Sequence, residues 1–509
     1  MRKLVSALYI VSFCMLTVYA DDYYWGNNEG GWWGNYSVNW SDENHVQKDH
    51  QPYANDNAIF DVNFMKYKVY ASISTSGETI KDLIFQNHYT ETDGVKTSYG
   101  FTVYADNKTN PTLTVTGNII KYRGESEGDT VIKSRDFDNR FTLVVSGNES
   151  DSSSGNIIMG AASDNQSLSG NLSLGEYSLA TALEKLIIAK DVNLYWNSTI
   201  SFNVGSNNGT IENPDAVIGG IVNFNGGNGY NPLWVLLACS DGNELNTVVQ
   251  TGGLKGNGIT RVNKETKGSA TLVFANAAGV SCVYNGYLLS ESAGAKLKVV
   301  MNGEGTQSLL PTWEPDKYFT FSGLEVRKGT MEIFSVLSVG DIELTGGTLK
   351  VSGVTAHYST DPGSSSSQKA AQLHGENLIW TSGKVLVNVI MNDEGNAEAS
   401  MIYLTGALKK GDGFSKAEFE FSGEILFYLD EWIQIMSFEQ GAEDFDASDF
   451  VANTFDNEWG AKFKIDNNAL YVMYTAIPEP AAAAAVLGIF AVAVMLVRKN
   501  LLKKTNQLF

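Results

Sequence analysis

The chain has 509 residues, with 36 Lys+Arg against 57 Asp+Glu and a formal charge of −21. Such an acidic balance argues against nucleic acid, because a polyanion needs a Lys/Arg surface. Three Cys and five His argue against a disulfide-dense scaffold and most zinc modules, while a 43 % hydrophobic content supplies a real core.

The N-terminus runs Met1-Arg2-Lys3, an apolar stretch from Leu4 to Val18, then Val18-Tyr19-Ala20. A basic start, an apolar run and a small-residue exit predict a signal peptide over 1–20, cleaved after Ala20. Trp25, Trp32, Trp33 and Trp40 follow. Their rings suit stacking on sugars, and equally suit capping the open end of a stacked β fold.

From there the chain is a series of short β-prone runs broken by Gly, Asn and Ser. Phe101-Thr102-Val103-Tyr104, Leu113-Thr114-Val115-Thr116, Phe141–Val145, Leu186-Ile187-Ile188, Val222-Asn223-Phe224 and Thr271–Phe274 are predicted strands. A short helix is expected around Thr181–Leu186. Cys239 and Cys282 are the thiols of the body, either a disulfide in an oxidising compartment or two buried apolar groups. Asp241-Gly242-Asn243-Glu244 has calcium-ligand chemistry without EF-hand spacing, so a bound metal stays undetermined.

One repeat is concrete. Gly329-Thr330-Met331-Glu332-Ile333 is echoed 18 residues on by Gly347-Thr348-Leu349-Lys350-Val351, and Gly383-Lys384-Val385-Leu386-Val387 falls at twice that interval. Gly363-Ser364-Ser365-Ser366-Ser367, between them, reads as a loop bulging from one coil. A Gly corner followed by alternating side chains at this period predicts rungs of about 18–20 residues in a parallel β-solenoid. His374 lies in Leu373-His374-Gly375, and Glu443-Asp444-Phe445-Asp446 with Asp449 reads as a solvated acidic loop. No spaced acid/His set, phosphate loop or nucleophile elbow marks catalysis, so enzymatic activity is not indicated. Ala461–Ile465 and Leu470–Tyr474 around Asp466-Asn467-Asn468 predict a hairpin that closes the body.

The C-terminus begins with Ile477-Pro478-Glu479-Pro480, continues through an uncharged apolar stretch at 481–497, and ends with Arg498, Lys499, Lys503 and Lys504. This predicts one transmembrane helix with a cytoplasmic basic tail. The arrangement resembles the PEP-CTERM sorting signal, with a basic cluster split by Asn500-Leu501-Leu502. That resemblance implies recognition by an integral-membrane exosortase near Pro478-Glu479-Pro480 and delivery to the cell surface or an exopolysaccharide matrix. The body, with Trp25-Gly26, Trp32-Trp33-Gly34, Asp56–Asp61 and Leu344-Thr345-Gly346-Gly347-Thr348-Leu349-Lys350, is similar in texture to autotransporter-associated β-strand-repeat passengers.

The organisation expected is therefore a signal peptide (1–20), a mainly β body (21–475) folded as a right-handed parallel β-helix or solenoid, and a sorting signal (476–509). Residues 1–20 and 481–509 hold six basic residues and no acidic one, which leaves 30 basic against 57 acidic side chains, −27, on the exported part. The function expected is structural or adhesive: inner-membrane anchored before processing, then at the surface or in the matrix, with calcium a candidate bridge. A polysaccharide-binding or polysaccharide-degrading β-helix and a chain of β-sandwich modules are the alternatives.

Overall fold

The computed structural model describes most residues between 21 and 477 and the helical residues 489 and 491–497; the longest internal stretches outside the description are 161–170, 237–245, 311–318 and 356–367. The chain divides into two compact units, Met1–Val204 and Gly205–Phe509. Both are built from parallel ladders of short strands, which removes the β-sandwich alternative, since sandwiches stack antiparallel sheets.

In the first unit each coil contributes a strand to three ladders in turn. Asn57–Asp61, Leu83–Gln86, Ile119–Lys121, Ile157–Met159 and Val192–Tyr195 make one ladder. Val69–Ile73, Phe101–Ala105, Asp129–Lys133, Asn171–Leu174 and Thr199–Phe202 make the second. Glu78–Ile80, Thr112–Val115, Thr142–Val145 and Lys185–Ile188 make the third. Strand alternation sends every second side chain inward, so Ala58, Leu83, Ile119, Ile157 and Val192 form one fully buried column. The neighbouring column is Phe60, Phe85, Lys121, Met159 and Leu194. Lys121 is tolerated there because its Nζ donates to Thr130 Oγ1 at 2.9 Å and to the Asn171 carbonyl at 2.6 Å.

The second unit uses the same device. The long strand Leu337–Val351 passes through all three ladders, pairing with Thr320–Val326 segments and then with Thr330–Ile333. Thr330, Thr348 and Lys384 stack in register, as do Met331, Leu349 and Val385. The repeat read in the sequence is thus the ladder itself. The step from Thr348 to Lys384 is one coil and not two, lengthened by an excursion whose base is the antiparallel pair Val354–Thr355 and Gln368–Lys369.

The expected period of 18–20 residues holds from Thr330 to Thr348 and fails at other steps: Leu83 pairs with Ile119, and Ile119 with Ile157, so those coils take 36 and 38 residues. Corners carry insertions, among them the hairpin Tyr89–Thr92 with Val95–Ser98. The expected helix around Thr181–Leu186 is also corrected. Leu183 forms a parallel bridge to Val204 and Lys185–Ile188 is a strand, because Leu186 and Ile188 alternate inward into a ladder.

The closing hairpin is present. Trp459–Asp466 pairs antiparallel with Ala469–Ala476, which in turn pairs with Ile433–Phe438. Its turn residues Asn467 and Asn468 have φ of 48° and 59°, a conformation that Asn tolerates better than most residues. Of the expected membrane span, 491–497 is helical and exposed, whereas 481–488 and 490 lie outside the described residues. Among the described residues no helix is long and apolar enough to cross a membrane.

Candidate functional site

Trp25, Trp33 and Trp40 are buried at 0 %, 0 % and 1 % exposure. Ring centroids lie 5.0 Å apart for Trp25 and Trp40, 4.9 Å for Trp33 and Trp40, and 5.8 Å for Trp25 and Phe60. Trp40 Nε1 donates to the Trp33 carbonyl at 2.9 Å. The three rings therefore cover the apolar interior beside Phe60, and the sugar-stacking assignment is corrected for them: no ring face is open to a ligand. Trp32 belongs to the short strand Gly31–Trp32, and its side chain lies outside the described residues.

Pro478, Glu479, Pro480, Arg498, Lys499, Lys503 and Lys504 lie outside the described residues, as do Cys239 and Asp241-Gly242-Asn243-Glu244. Cys282 is buried inside its ladder. In the acidic loop, Glu443 is outside the description, and Asp446 and Asp449 have structural tasks. Asp446 accepts from the Ser448 N–H at 2.7 Å and caps the short turn Ala447–Asp449, while Asp449 pairs with Lys410 at 2.9 Å. Among the described residues no group of three or more His, Cys, Asp or Glu could hold a metal ion.

A recess lies elsewhere, in the second unit. It encloses about 450 Å³ and is lined by residues 395–399, Met401, Tyr403, Tyr428 and residues 431–434. Its floor is the strand Met401–Leu404, in which Ile402 and Leu404 point into the core and Met401 and Tyr403 point out. One wall is a hairpin that leaves the coil, with Val389 opposite Ala399 and Met391 opposite Ala397. The hairpin is tightened where the Asn396 N–H donates to Asn392 Oδ1 at 2.9 Å. The other wall is the turn before Ile433–Phe438, where Asp430 has a φ of 62°. Tyr428 Oη reaches the Gly395 carbonyl at 3.4 Å and ties the walls together.

The chemistry of the recess is aromatic and acidic. Trp432 is 40 % exposed, a large apolar side chain left at the surface. Lys464 Nζ rests 4.8 Å from the Trp432 ring and 4.8 Å from that of Tyr471, on the closing hairpin. Burial, and then the Glu398 carboxylate, push the Tyr403 phenol above its ordinary range. His374, one coil before, stacks on Tyr403 with centroids 4.8 Å apart and rings 14° from parallel. Glu398 and Glu431 complete the lining with Asn396 and Gln434. Open aromatic surface beside carboxylates and amides can hold a hydroxylated ligand by ring stacking and hydrogen bonds.

Sequence reading missed this recess. Its walls are separated by some thirty residues and meet only because the coil returns. The available signal was Tyr428-Leu429-Asp430-Glu431-Trp432, where two aromatics flank two adjacent acids at a turn. No family model matches the chain, and no curated protein matches it.

Proposed function

We propose that the chain is an exported surface or matrix protein whose body is a right-handed parallel β-helix with a structural or adhesive role. In this reading residues 1–20 direct export and residues 481–497 anchor the chain in the inner membrane. An exosortase-type enzyme then processes it near Pro478-Glu479-Pro480 for release to the surface. The observation that carries the structural role is the stacking of parallel coils, tied by ion pairs between coils such as Lys350 with Glu332 and Lys384 with Glu420. Such a body places side chains at regular intervals without needing an active site. Replacing Pro478 and Glu479 by Ala should leave a longer, membrane-retained product on fractionation and mass analysis; unchanged processing would reject the sorting step.

A second reading is favoured by the recess at Tyr403 and Trp432: the body binds polysaccharide there. Retention of the protein on insoluble glycans, lost in Trp432→Ala, is the expected result. Appearance of new reducing or unsaturated ends in the same incubations would instead assign the degrading alternative.

A further inference from the structure

Among the described residues, the lining of the recess includes Glu398 and Glu431 but no Lys, Arg or His, and Lys464 stands beside it on the Trp432 ring. Among the described residues, neither carboxylate has a hydrogen-bond or ion-pair partner for its side chain. The nearby Lys464 is engaged otherwise, on the rings of Trp432 and Tyr471 and 3.8 Å from Asp466. Two carboxylates without counter-charge, set among Tyr403, Tyr428 and an exposed Trp432, are the surroundings in which an organic ammonium is held, by charge-assisted hydrogen bonds and by cation–π attraction.

The occupant also has to use the rest of the recess. The floor strand Met401–Leu404 is already paired on both sides, to Gln372–Gly375 and to Ile433–Phe438, so it offers no edge for a peptide to extend the sheet. What it offers instead is ring surface, which suits the C–H face of a pyranose, and amides at Asn396 and Gln434, which suit hydroxyls. A uronate would add a third negative charge. We propose that this groove binds a glycan bearing free amino groups, of the glucosamine-oligosaccharide type. The proposal rests on the polysaccharide-binding reading and narrows it to one charge class.

The test is calorimetry on the full-length protein against four probes: a fully deacetylated glucosamine hexamer with its amines protonated, its N-acetylated counterpart, cellohexaose and an oligogalacturonate. The glucosamine hexamer should bind at least about tenfold more tightly than the two neutral hexamers, with affinity falling as salt rises, and the galacturonate should not bind. Trp432→Ala should abolish binding, and the double variant Glu398→Gln with Glu431→Gln should erase the preference for amines while circular dichroism stays unchanged. Equal binding of cellohexaose, indifferent to the double variant, would overturn the amine assignment and leave the glycan reading standing. Failure of all four probes would overturn both. A lysine hexapeptide competing as well as the glucosamine hexamer would also overturn the proposal.

Discussion

Asn118 Oδ1 accepts two hydrogen bonds from Asn156 one coil later, from the backbone N–H at 2.9 Å and from Nδ2 at 3.2 Å. Asn156 Oδ1 in turn accepts from the Asp191 N–H at 3.0 Å, and Asp82 Oδ1 accepts from the Asn118 N–H at 2.6 Å. Four successive coils turn one corner on this column, each member standing just before the strand that begins with Leu83, Ile119, Ile157 or Val192. The second unit repeats it: Asn377 Nδ2 donates to Asp341 Oδ1 at 2.8 Å and Asn377 Oδ1 accepts from the Ala407 N–H at 2.9 Å. A corner cannot continue the strand ladder, so these side chains satisfy the backbone groups that the turn leaves over.

Asn156→Ala should therefore leave the Asp191 N–H without its acceptor and cost about 1–3 kcal/mol. Asn156→Asp keeps that acceptor but sets an oxygen against Asn118 Oδ1 and the Ser153 carbonyl, where Nδ2 donated, so it should destabilise without exposing the Asp191 amide. Urea unfolding measures both losses, and hydrogen exchange at the Asp191 amide, faster in Asn156→Ala alone, locates the damage. Equally fast exchange there in both variants would mean that the column does not act through that acceptor.

Gly347 occupies a corner at φ 59°, stacked between Gly329 at 55° and Gly383 at 90°. A Cβ at 347 would stand 2.7 Å from the Lys328 carbonyl carbon and 2.8 Å from the Gly329 oxygen. Gly279 has a similar φ of 77° but nothing within 4 Å of such a Cβ. Gly279→Ala should cost only the left-handed strain, about 1–2 kcal/mol, whereas Gly347→Ala should cost clearly more. Denaturation midpoints of the two variants measured side by side separate backbone strain from the close approach of coils.

Those three glycines also show what could be read ahead of the structure. Each is followed by an alternating segment, and the segments stack in register, so the step from Thr330 to Thr348 was legible from spacing, whereas the step to Lys384 is one coil where spacing indicated two. The general coil length was not, because insertions at corners, such as the hairpin from Tyr89 to Ser98, alter the spacing without disturbing the ladders. Trp25 and Trp432 illustrate the limit for sites. A tryptophan near acids and glycines looks alike in sequence whether it is covered, as Trp25 is at 0 % exposure, or open, as Trp432 is at 40 %. Only the return of the coil decides which.

That contrast is measurable. Trp40→Ala should open the aromatic cluster around Phe60 and destabilise the first unit by about 3–5 kcal/mol. Trp432→Ala, at the surface, should change stability by less than about 1 kcal/mol. Thermal unfolding of the two variants tests the assignment; a large loss for Trp432→Ala would make it a packing residue and not a contact surface.

The turn of the closing hairpin makes a third backbone test. Asn467 sits at φ 48°, where a β-branched residue is strained and glycine is not. Asn467→Val should destabilise by about 1–2 kcal/mol, and Asn467→Gly should be neutral or better. Because Ala469–Ala476 pairs with Ile433–Phe438, the loss should appear as faster exchange of amides in both strands, not in the turn alone.

Glu325 supplies the pH dependence. It is 4 % exposed and accepts from Lys298, at 2.8 Å, and from Arg327 Nε, at 2.5 Å. Burial alone would raise its pKa, but the hydrogen bonds and charges of Arg327 and Lys298 outweigh burial and hold it below the usual range. A carboxylate with a depressed folded pKa contributes stability that is fully present above its unfolded value and disappears as pH falls through the folded one. The wild type should therefore lose stability on acidification through and below the ordinary glutamate range. Glu325→Gln should be less stable at neutral pH by about 1–3 kcal/mol, since it leaves two cations without their shared partner. The difference between the two proteins should shrink steadily as the wild-type carboxylate protonates. Urea midpoints across an acid series measure it, and a gap that stayed constant with pH would show that Glu325 acts by packing and not by charge.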